Sequence, residues 1–210
     1  MKLLFVALAL ALAGTSAMAA EVESHGSHPF NIRDLVMMDR VSDPQLSPDG
    51  RQALYTVRAT DYAANKGVTS IYVLDLAKGG TPVKLVEKAS SPRWSPDGSA
   101  IYYVAEKDGV AQLWRRPLAA SATAVQVTHA PIDVDAYKLS PDGKKALLSF
   151  GVFTDCADLA CTKERLDGRA ADKASGTVYD KLFVRHWDTW ADGRRAQLFV
   201  ADLDQPSQQP

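Results

Sequence analysis

Apolar residues recur along the chain in short alternating runs, and each run begins a few residues after a glycine. At the third, fifth and seventh positions after that glycine, every residue is apolar or aromatic in all three runs. This period of two predicts β-strands with one buried face, and the mostly apolar residues between predict that the other face is covered too. A comparable apolar run follows each strand further along. The runs are residues 53–57, 71–76, 101–105, 112–118, 146–150 and 197–203.

A four-residue turn sequence, Ser-Pro-Asp-Gly, precedes the first strand of each pair and starts at Ser47, Ser95 and Ser140. Proline presets φ for the second position of a type I turn, the aspartate carboxylate caps the turn, and glycine adopts the left-handed conformation that follows. The starts are 48 and then 45 residues apart, a period that is typical of one four-stranded propeller blade.

The sequence therefore predicts an all-β protein: a partial β-propeller of about three four-stranded antiparallel blades, with a short N-terminal helix and one insertion loop. We expect the propeller part to span residues 30–210, with blades at approximately 41–88, 89–130 and 131–210. Because a closed propeller needs roughly four to eight blades, we expect this to be the N-terminal part of a longer protein.

Two segments depart from the strand pattern. Before the first turn, Asn31 can cap a short helix, with Asp34 at its third position and Phe30 close enough to pack on Leu35. After the third strand, residues 154–177 are polar and lack alternation, which indicates an insertion with a helical turn around 159–166.

The chain then returns at residues 181–190 and turns at 191–194. We interpret 181–203 as a long hairpin inside blade three, because the residues after this turn match the 71–76 strand. A fourth blade is the alternative interpretation.

Composition narrows the class of partner. The chain is 46% hydrophobic and 23% charged, with a formal net charge of -1. These values are those of an ordinary globular protein, and no basic or acidic excess indicates a nucleic acid or membrane partner.

The first residues have the features of a signal peptide. Lys2 is followed by an apolar stretch over residues 3–12, and Ala17 and Ala19 provide the small-x-small cleavage site. The apolar stretch is about half of a bilayer span, which disfavours a membrane anchor. We expect residues 1–19 to be removed, 20–29 to form a flexible N-terminus, and the mature protein to be periplasmic or secreted, without a membrane segment.

The only two cysteines are Cys156 and Cys161, with four residues between them. In an exported protein this pair favours a disulfide that closes a small loop. A zinc pair is the alternative, but no histidine lies nearby in the sequence. We expect no metal and no cofactor.

Three segments carry a resemblance to a known family. They are the N-terminal stretch with Arg33-Asp34-Leu35 that leads through residues 40–46 into the first turn, the cysteine loop at 155–162, and the His-Trp segment at 185–195. Together they resemble exported serine peptidases of the prolyl oligopeptidase family, in the dipeptidyl peptidase and acylaminoacyl peptidase-like branch. The resemblance covers nearly the whole mature chain, and the 185–195 segment is its most specific part.

The resemblance implies a propeller that covers a C-terminal α/β-hydrolase domain and admits peptides while excluding folded proteins. Here the sequence contains no Gly-x-Ser-x-Gly nucleophile motif. We therefore assign no catalytic residue, expect the hydrolase domain to lie beyond residue 210, and expect the 210 residues alone to be inactive. The predicted function is the substrate-gating portion of an exported peptidase that acts on short peptides. The alternative is a non-enzymatic, protein-binding periplasmic propeller of the Tol-Pal type.

The densest polar cluster supplies the candidate substrate-binding residues, which are Arg185, His186 and Asp188. On one continuous strand, Arg185 would share a face with Trp187 and Thr189, and His186 would share the other with Asp188 and Trp190. There are three alternatives for His186 and Asp188. They could pair structurally inside a blade, His186 could be a general base that the Asp188 carboxylate assists, or both could form a metal site with Asp192.

Two further groups could contact a ligand. The tryptophans could form a stacking platform, although aromatic residues on strands usually pack between sheets. Arg165, Arg169 and Glu164 could meet the termini of a peptide, although a charged loop is more often simply solvated. The tryptophans are Trp94, Trp114, Trp187 and Trp190.

Overall fold

The computed structural model describes residues 28–119, 122–179, 182 and 184–203. The predicted signal peptide and most of the flexible N-terminus lie outside the described residues. Over the described ranges, no helix is long and apolar enough to cross a membrane.

A short helix, α1 (Ile32–Met37), precedes the first sheet. Oδ1 of Asn31 accepts hydrogen bonds from the backbone N–H groups of Arg33 and Asp34, at 2.8 and 3.3 Å, and Oδ2 of Asp34 accepts one from the N–H of Asn31 at 2.8 Å. This capping box was predicted from the sequence. The proposed staple residues Phe30 and Leu35 both remain exposed.

In the described residues, three larger antiparallel sheets and one two-stranded hairpin follow, and the first two sheets are four-stranded meanders in which each strand pairs with the next. The first contains β1 (Arg40–Leu46), β2 (Gln52–Asp61), β3 (Lys66–Asp75) and β4 (Val83–Glu87). The second contains β5 (Ala89–Trp94), β6 (Ala100–Lys107), β7 (Val110–Pro117) and β8 (Val125–Gln126). The third contains β9 (Ala136–Leu139), β10 (Lys145–Val152) and a later strand, β13 (Arg195–Asp202). The predicted all-β partial propeller is confirmed, and three strands of the third blade lie in the described residues.

The repeated turns have the same hydrogen bonds in all three blades. In the first, Oγ of Ser47 donates to Asp49 at 2.6 Å and accepts from the N–H of Gln52 at 2.9 Å, while the N–H of Gly50 donates to the Ser47 carbonyl at 2.9 Å. The turn glycines have φ near +70°, where an L-residue is disfavoured. The turn therefore joins the first and second strands of each blade with one fixed geometry.

The blades stack face to face, and the core lies between them. One cluster, between blades one and two, includes Leu54, Ile71 and Ile101, each fully buried. The other, between blades two and three, includes Tyr102, Leu113 and the β10 residues Ala146, Leu148 and Phe150. Burial of apolar faces against the next sheet is what favours this arrangement.

Polar contacts also cross from blade to blade. The guanidinium of Arg93 in blade two donates to Asp43 of blade one at 2.7 Å, and the hydroxyl of Tyr137 in blade three donates to the Ser91 carbonyl at 2.8 Å. Burial raises the pKa of Tyr137, so this hydroxyl remains a hydrogen-bond donor. These bonds fix the register of neighbouring blades.

One predicted element is wrong. The described residues of the returning segment 181–190 do not pair with β13; instead β13 pairs with β10 along its whole length, from Lys145 opposite Asp202 to Val152 opposite Arg195. The returning segment forms a small separate hairpin of β11 (Arg185–His186) and β12 (Thr189–Trp190). The match of β13 to the 71–76 strand was correct, because β3 pairs with β2 in the same way.

Candidate functional site

The insertion lies at the edge of blade three that is opposite the repeated turns. In blades one and two the second and third strands are joined by short turns, residues 62–65 and 108–109. In blade three, residues 153–194 replace this turn and contain α2 (Leu159–Ala171) and the β11–β12 hairpin. The extra residues are therefore concentrated at one end of one blade, and α2 is longer than the predicted helical turn.

The start of α2 is fixed to the end of β10. Oδ1 of Asp158 caps the helix by accepting from the N–H of Cys161 at 2.8 Å. The hydroxyl of Thr162, which is fully buried, accepts from the N–H of Phe153 at 3.3 Å. The structure joins Cys156 and Cys161 in a disulfide within this loop.

Two arginines of α2 pack on one aromatic ring. The guanidinium carbons of Arg165 and Arg169 each lie 4.6 Å from the centroid of the Phe153 ring. Arg165 also forms two hydrogen bonds to Asp155, at 2.8 and 3.0 Å, and these lower the pKa of that carboxyl. These arginines, considered above for the termini of a peptide, are instead engaged within the insertion.

Asp192 links the insertion to the start of β13. Its backbone carbonyl accepts from Arg169 at 2.5 Å, and its carboxylate accepts from Nε of Arg194 at 2.6 Å. Burial acts to raise the pKa of Asp192, but hydrogen bonds from Arg194 outweigh it and hold the pKa below its usual value. No sequence pattern indicated the role of Phe153, although the four-residue spacing of Arg165 and Arg169 places them on one helix face.

A groove of about 1000 Å³ lies beside the β11–β12 hairpin, and its lining includes Tyr179, Leu182 and residues 185–195. The guanidinium of Arg185 lies 5.1 Å from the centroid of the Trp190 ring, and Tyr179 stacks on the same ring at 6.0 Å. Trp187 is 85% exposed and Trp190 is 57% exposed. This edge thus presents aromatic surface and a guanidinium to solvent.

The candidate residues lie at this groove, but their arrangement differs from the single-strand prediction. The chain reverses at Trp187 and Asp188, so Arg185 is opposite Trp190 and His186 is opposite Thr189. The predicted grouping of Arg185 with Trp187 and Thr189 on one strand face is therefore wrong. A two-residue turn without glycine or asparagine gave no sequence signal of this reversal.

The alternatives for His186 and Asp188 have little support in the geometry. Within the described ranges, these two side chains are not hydrogen-bonded to each other, and both are exposed. No three His, Cys, Asp or Glu side chains of the described residues group as a metal site. The polar residues of the hairpin are thus available for contact with a ligand in solution.

The four tryptophans divide into two pairs. Trp94 and Trp114 pack partly buried against the core between blades one and two, and Nε1 of Trp114 donates to the Ala105 carbonyl at 3.1 Å. Trp187 and Trp190 are exposed at the groove. Packing therefore accounts for the first pair, and only the second pair can form a stacking platform.

Comparison with known proteins identifies the class of this fold. No protein-family model matches the chain. Over 174 residues it is 33% identical to Dipeptidyl-peptidase 5 of Porphyromonas endodontalis. The aligned region covers 81% of this chain and 24% of that protein. It is 26% identical over 195 residues to Dipeptidyl-peptidase 5 of Porphyromonas gingivalis, and this alignment covers 91% of this chain and 27% of that protein. Acylaminoacyl peptidase of Pyrococcus horikoshii has a similar structure, with a TM-score of 0.60 at 19% identity over 82% of this chain and 24% of that one.

The fold of the described residues is that of part of a β-propeller, and the relatives that match the chain are peptidases. The resemblance to the prolyl oligopeptidase family is confirmed, and over most of its length the chain is a homologue of the proteins named Dipeptidyl-peptidase 5. The chain spans about a quarter of the length of these relatives.

Proposed function

We propose that the chain is the substrate-gating propeller portion of an exported serine peptidase that acts on short peptides. The observation that carries the proposal is the 33% identity to a dipeptidyl-peptidase over 81% of the chain. In this proposal a hydrolase domain elsewhere in the protein supplies the nucleophile, because no Gly-x-Ser-x-Gly motif occurs in these residues. The peptide substrate and the hydrolase domain are the partners.

The geometry of the insertion supports a role in substrate entry. The groove beside the hairpin has exposed aromatic and charged side chains, including Arg185, His186 and Asp188. A groove of about 1000 Å³ can accommodate a short peptide segment. We assign these three residues to contact with the entering peptide.

Export is part of the same proposal and rests on residues 1–19. Mass spectrometry of protein recovered from the periplasm or medium is expected to give a new N-terminus at Ala20. A chain that retains Met1 in the cell would contradict export without affecting the peptidase assignment.

The test is peptide hydrolysis by the natural chain that contains these residues. Dipeptide release is measured with peptides of increasing length and with a folded protein substrate, together with labelling by a serine-reactive fluorophosphonate. We expect labelling, cleavage of short peptides and no cleavage of the folded protein. Absence of both labelling and cleavage would contradict the proposal and would favour the protein-binding alternative, to which no feature of the described residues specifically points.

A further inference from the structure

We propose that the groove at the β11–β12 hairpin binds the aromatic side chain of a peptide, which stacks on the exposed indoles of Trp187 and Trp190. This inference rests on the proposed function and names the class of peptide. The tip of the hairpin has an unusual backbone conformation.

Trp187 has φ of +53°. The left-handed region is disfavoured for every L-residue with a bulky side chain, and Gly or Asn normally takes such a position in a two-residue hairpin turn. Elsewhere in the described ranges, the non-glycine residues with positive φ are Asp43, Asn65, Lys88, Ser91 and Asp108. Trp187 is thus the aromatic exception among them.

Packing within the chain does not explain this tryptophan, because 85% of Trp187 is exposed to solvent. A large indole that stays exposed and requires a strained backbone contributes little to the stability of the folded state. Strain of this kind persists at binding sites, where presentation of the side chain matters for function. We infer that the turn displays the Trp187 ring for contact with a ligand.

The neighbouring aromatic surface has a second ligand-facing group. Trp190 is held by Tyr179, whose ring stacks at an interplanar angle of 22°, and by the guanidinium of Arg185. Arg165, Arg169 and Arg194 all form hydrogen bonds, whereas Arg185 makes its cation-π contact without an ion pair in the described residues. Its N–H groups are available to a peptide carbonyl.

The charges that line this groove nearly cancel. The carboxylate of Asp192 is paired with Arg194, and the remaining charged lining residues are Asp188, Arg185 and Arg195. The aromatic faces are the dominant feature, and rings stack on rings in offset or edge-to-face geometry. An aromatic peptide side chain is therefore favoured over an acidic one.

The test is a set of calorimetric titrations of the full chain with three N-acetylated, C-amidated tripeptides, Ala-Phe-Ala, Ala-Ala-Ala and Ala-Glu-Ala. We expect the phenylalanine peptide to bind about tenfold more tightly than the alanine peptide. Trp187→Gly is expected to remove this preference and to leave the melting temperature unchanged or higher, since glycine adopts the left-handed conformation freely. The matched control is Trp114→Phe, which is expected to lower the melting temperature and keep the preference.

Each other outcome has a distinct meaning. Equal binding of the phenylalanine and alanine peptides would overturn aromatic selection and leave the proposed peptide-gating function intact. Tighter binding of the glutamate peptide would overturn it in favour of charge selection. A melting temperature lowered by several degrees in Trp187→Gly would show a structural role for the indole. Absence of binding by any peptide would overturn the inference, while hydrolysis by the natural chain tests the proposed function separately.

Discussion

The aspartates of the repeated turns are exposed, yet their protonation is linked to the turn geometry. The hydroxyl of Ser95 and the N–H of Ser99 hydrogen-bond to Asp97 and lower the pKa of that carboxyl to about 2. Asp49 and Asp142 have the same pattern of bonds, and their pKa values are lowered too. The role of these aspartates was predictable from the sequence, because turn chemistry is local.

A lowered pKa has a defined effect on stability. The ionised carboxylate is favoured in the folded state, so its contribution is complete above the ordinary aspartate pKa of 3.8 and is lost as the pH falls towards about 2. We expect Asp97→Asn to destabilise the protein at pH 7 and the difference from wild type to shrink between pH 4 and pH 2. Urea unfolding at a series of pH values measures this, and a difference that stays constant over that range would contradict the prediction.

Substitutions of the turn glycines test how closely the turns of neighbouring blades pack. A Cβ atom on Gly143 would lie 3.3 Å from Cδ of Pro96 in the preceding blade, whereas one on Gly50 would have no neighbour within 4 Å. Both have φ of +71°. We expect Gly50→Ala to cost about 1 kcal/mol from the backbone alone, and Gly143→Ala to cost more because it also presses on Pro96.

Chemical denaturation of the two glycine variants compares them directly, with Gly50→Ala as the matched control for φ. Equal losses in the free energy of unfolding would mean that the turn that contains Pro96 shifts without an energetic penalty. The sequence predicted the left-handed glycines, but it could not reveal the contact with Pro96, because that contact depends on how successive blades stack.

At the scale of elements, a buried polar network holds the segment that leads from blade two into blade three against strand β7. The hydroxyl of Thr128 donates to Oε1 of Gln112 at 2.8 Å and accepts from the N–H of Leu113 at 2.8 Å. Oε1 of Gln112 also accepts from the N–H of Ala130 at 3.0 Å. Gln112 and Thr128 are 2% and 1% exposed, so water cannot replace a lost partner without rearrangement.

Replacement of the threonine hydroxyl tests this network. We expect Thr128→Val, which is nearly isosteric, to destabilise the protein by about 1–3 kcal/mol, because it removes the hydroxyl partner of the buried Leu113 N–H and one of the two hydrogen bonds to Oε1 of Gln112. Thr128→Ser keeps the hydroxyl and is the control, with a smaller loss from the missing methyl. Equal losses in the two variants, measured by urea unfolding, would show that packing outweighs the hydrogen bonds at this site.

Elements differ in how far the sequence predicted them. The strands that follow each turn were predicted because alternation and turn residues agree locally. The pairing of β13 with β10 is not local, since the whole insertion separates the two strands. The hairpin tip at Trp187 was also missed, because a left-handed tryptophan has no propensity signal. At the candidate site, therefore, the sequence identified Arg185, His186 and Asp188 as neighbours but not the faces that they share.

At the scale of the whole molecule, the repeat allows each blade face to be compared with its equivalents. The residue four positions after the turn glycine is fully buried at Leu54 and 6% exposed at Tyr102, but 39% exposed at Leu147. On the adjacent strand, Ile71 is fully buried and Leu198 is 67% exposed. In blades one and two this face is covered by the next blade, and no described element covers it in blade three.

An uncovered apolar sheet face favours association. We therefore expect the 210 residues expressed alone to self-associate as concentration rises, and Leu147→Lys combined with Leu198→Lys to reduce the association while the far-ultraviolet circular dichroism stays that of wild type. Leu76→Lys, at a similarly exposed leucine outside this face, is the control and should leave association unchanged. Sedimentation velocity measures the outcome. Monomeric wild-type protein at all concentrations with a sharp cooperative melt would contradict the prediction, because it would mean that this face needs no cover.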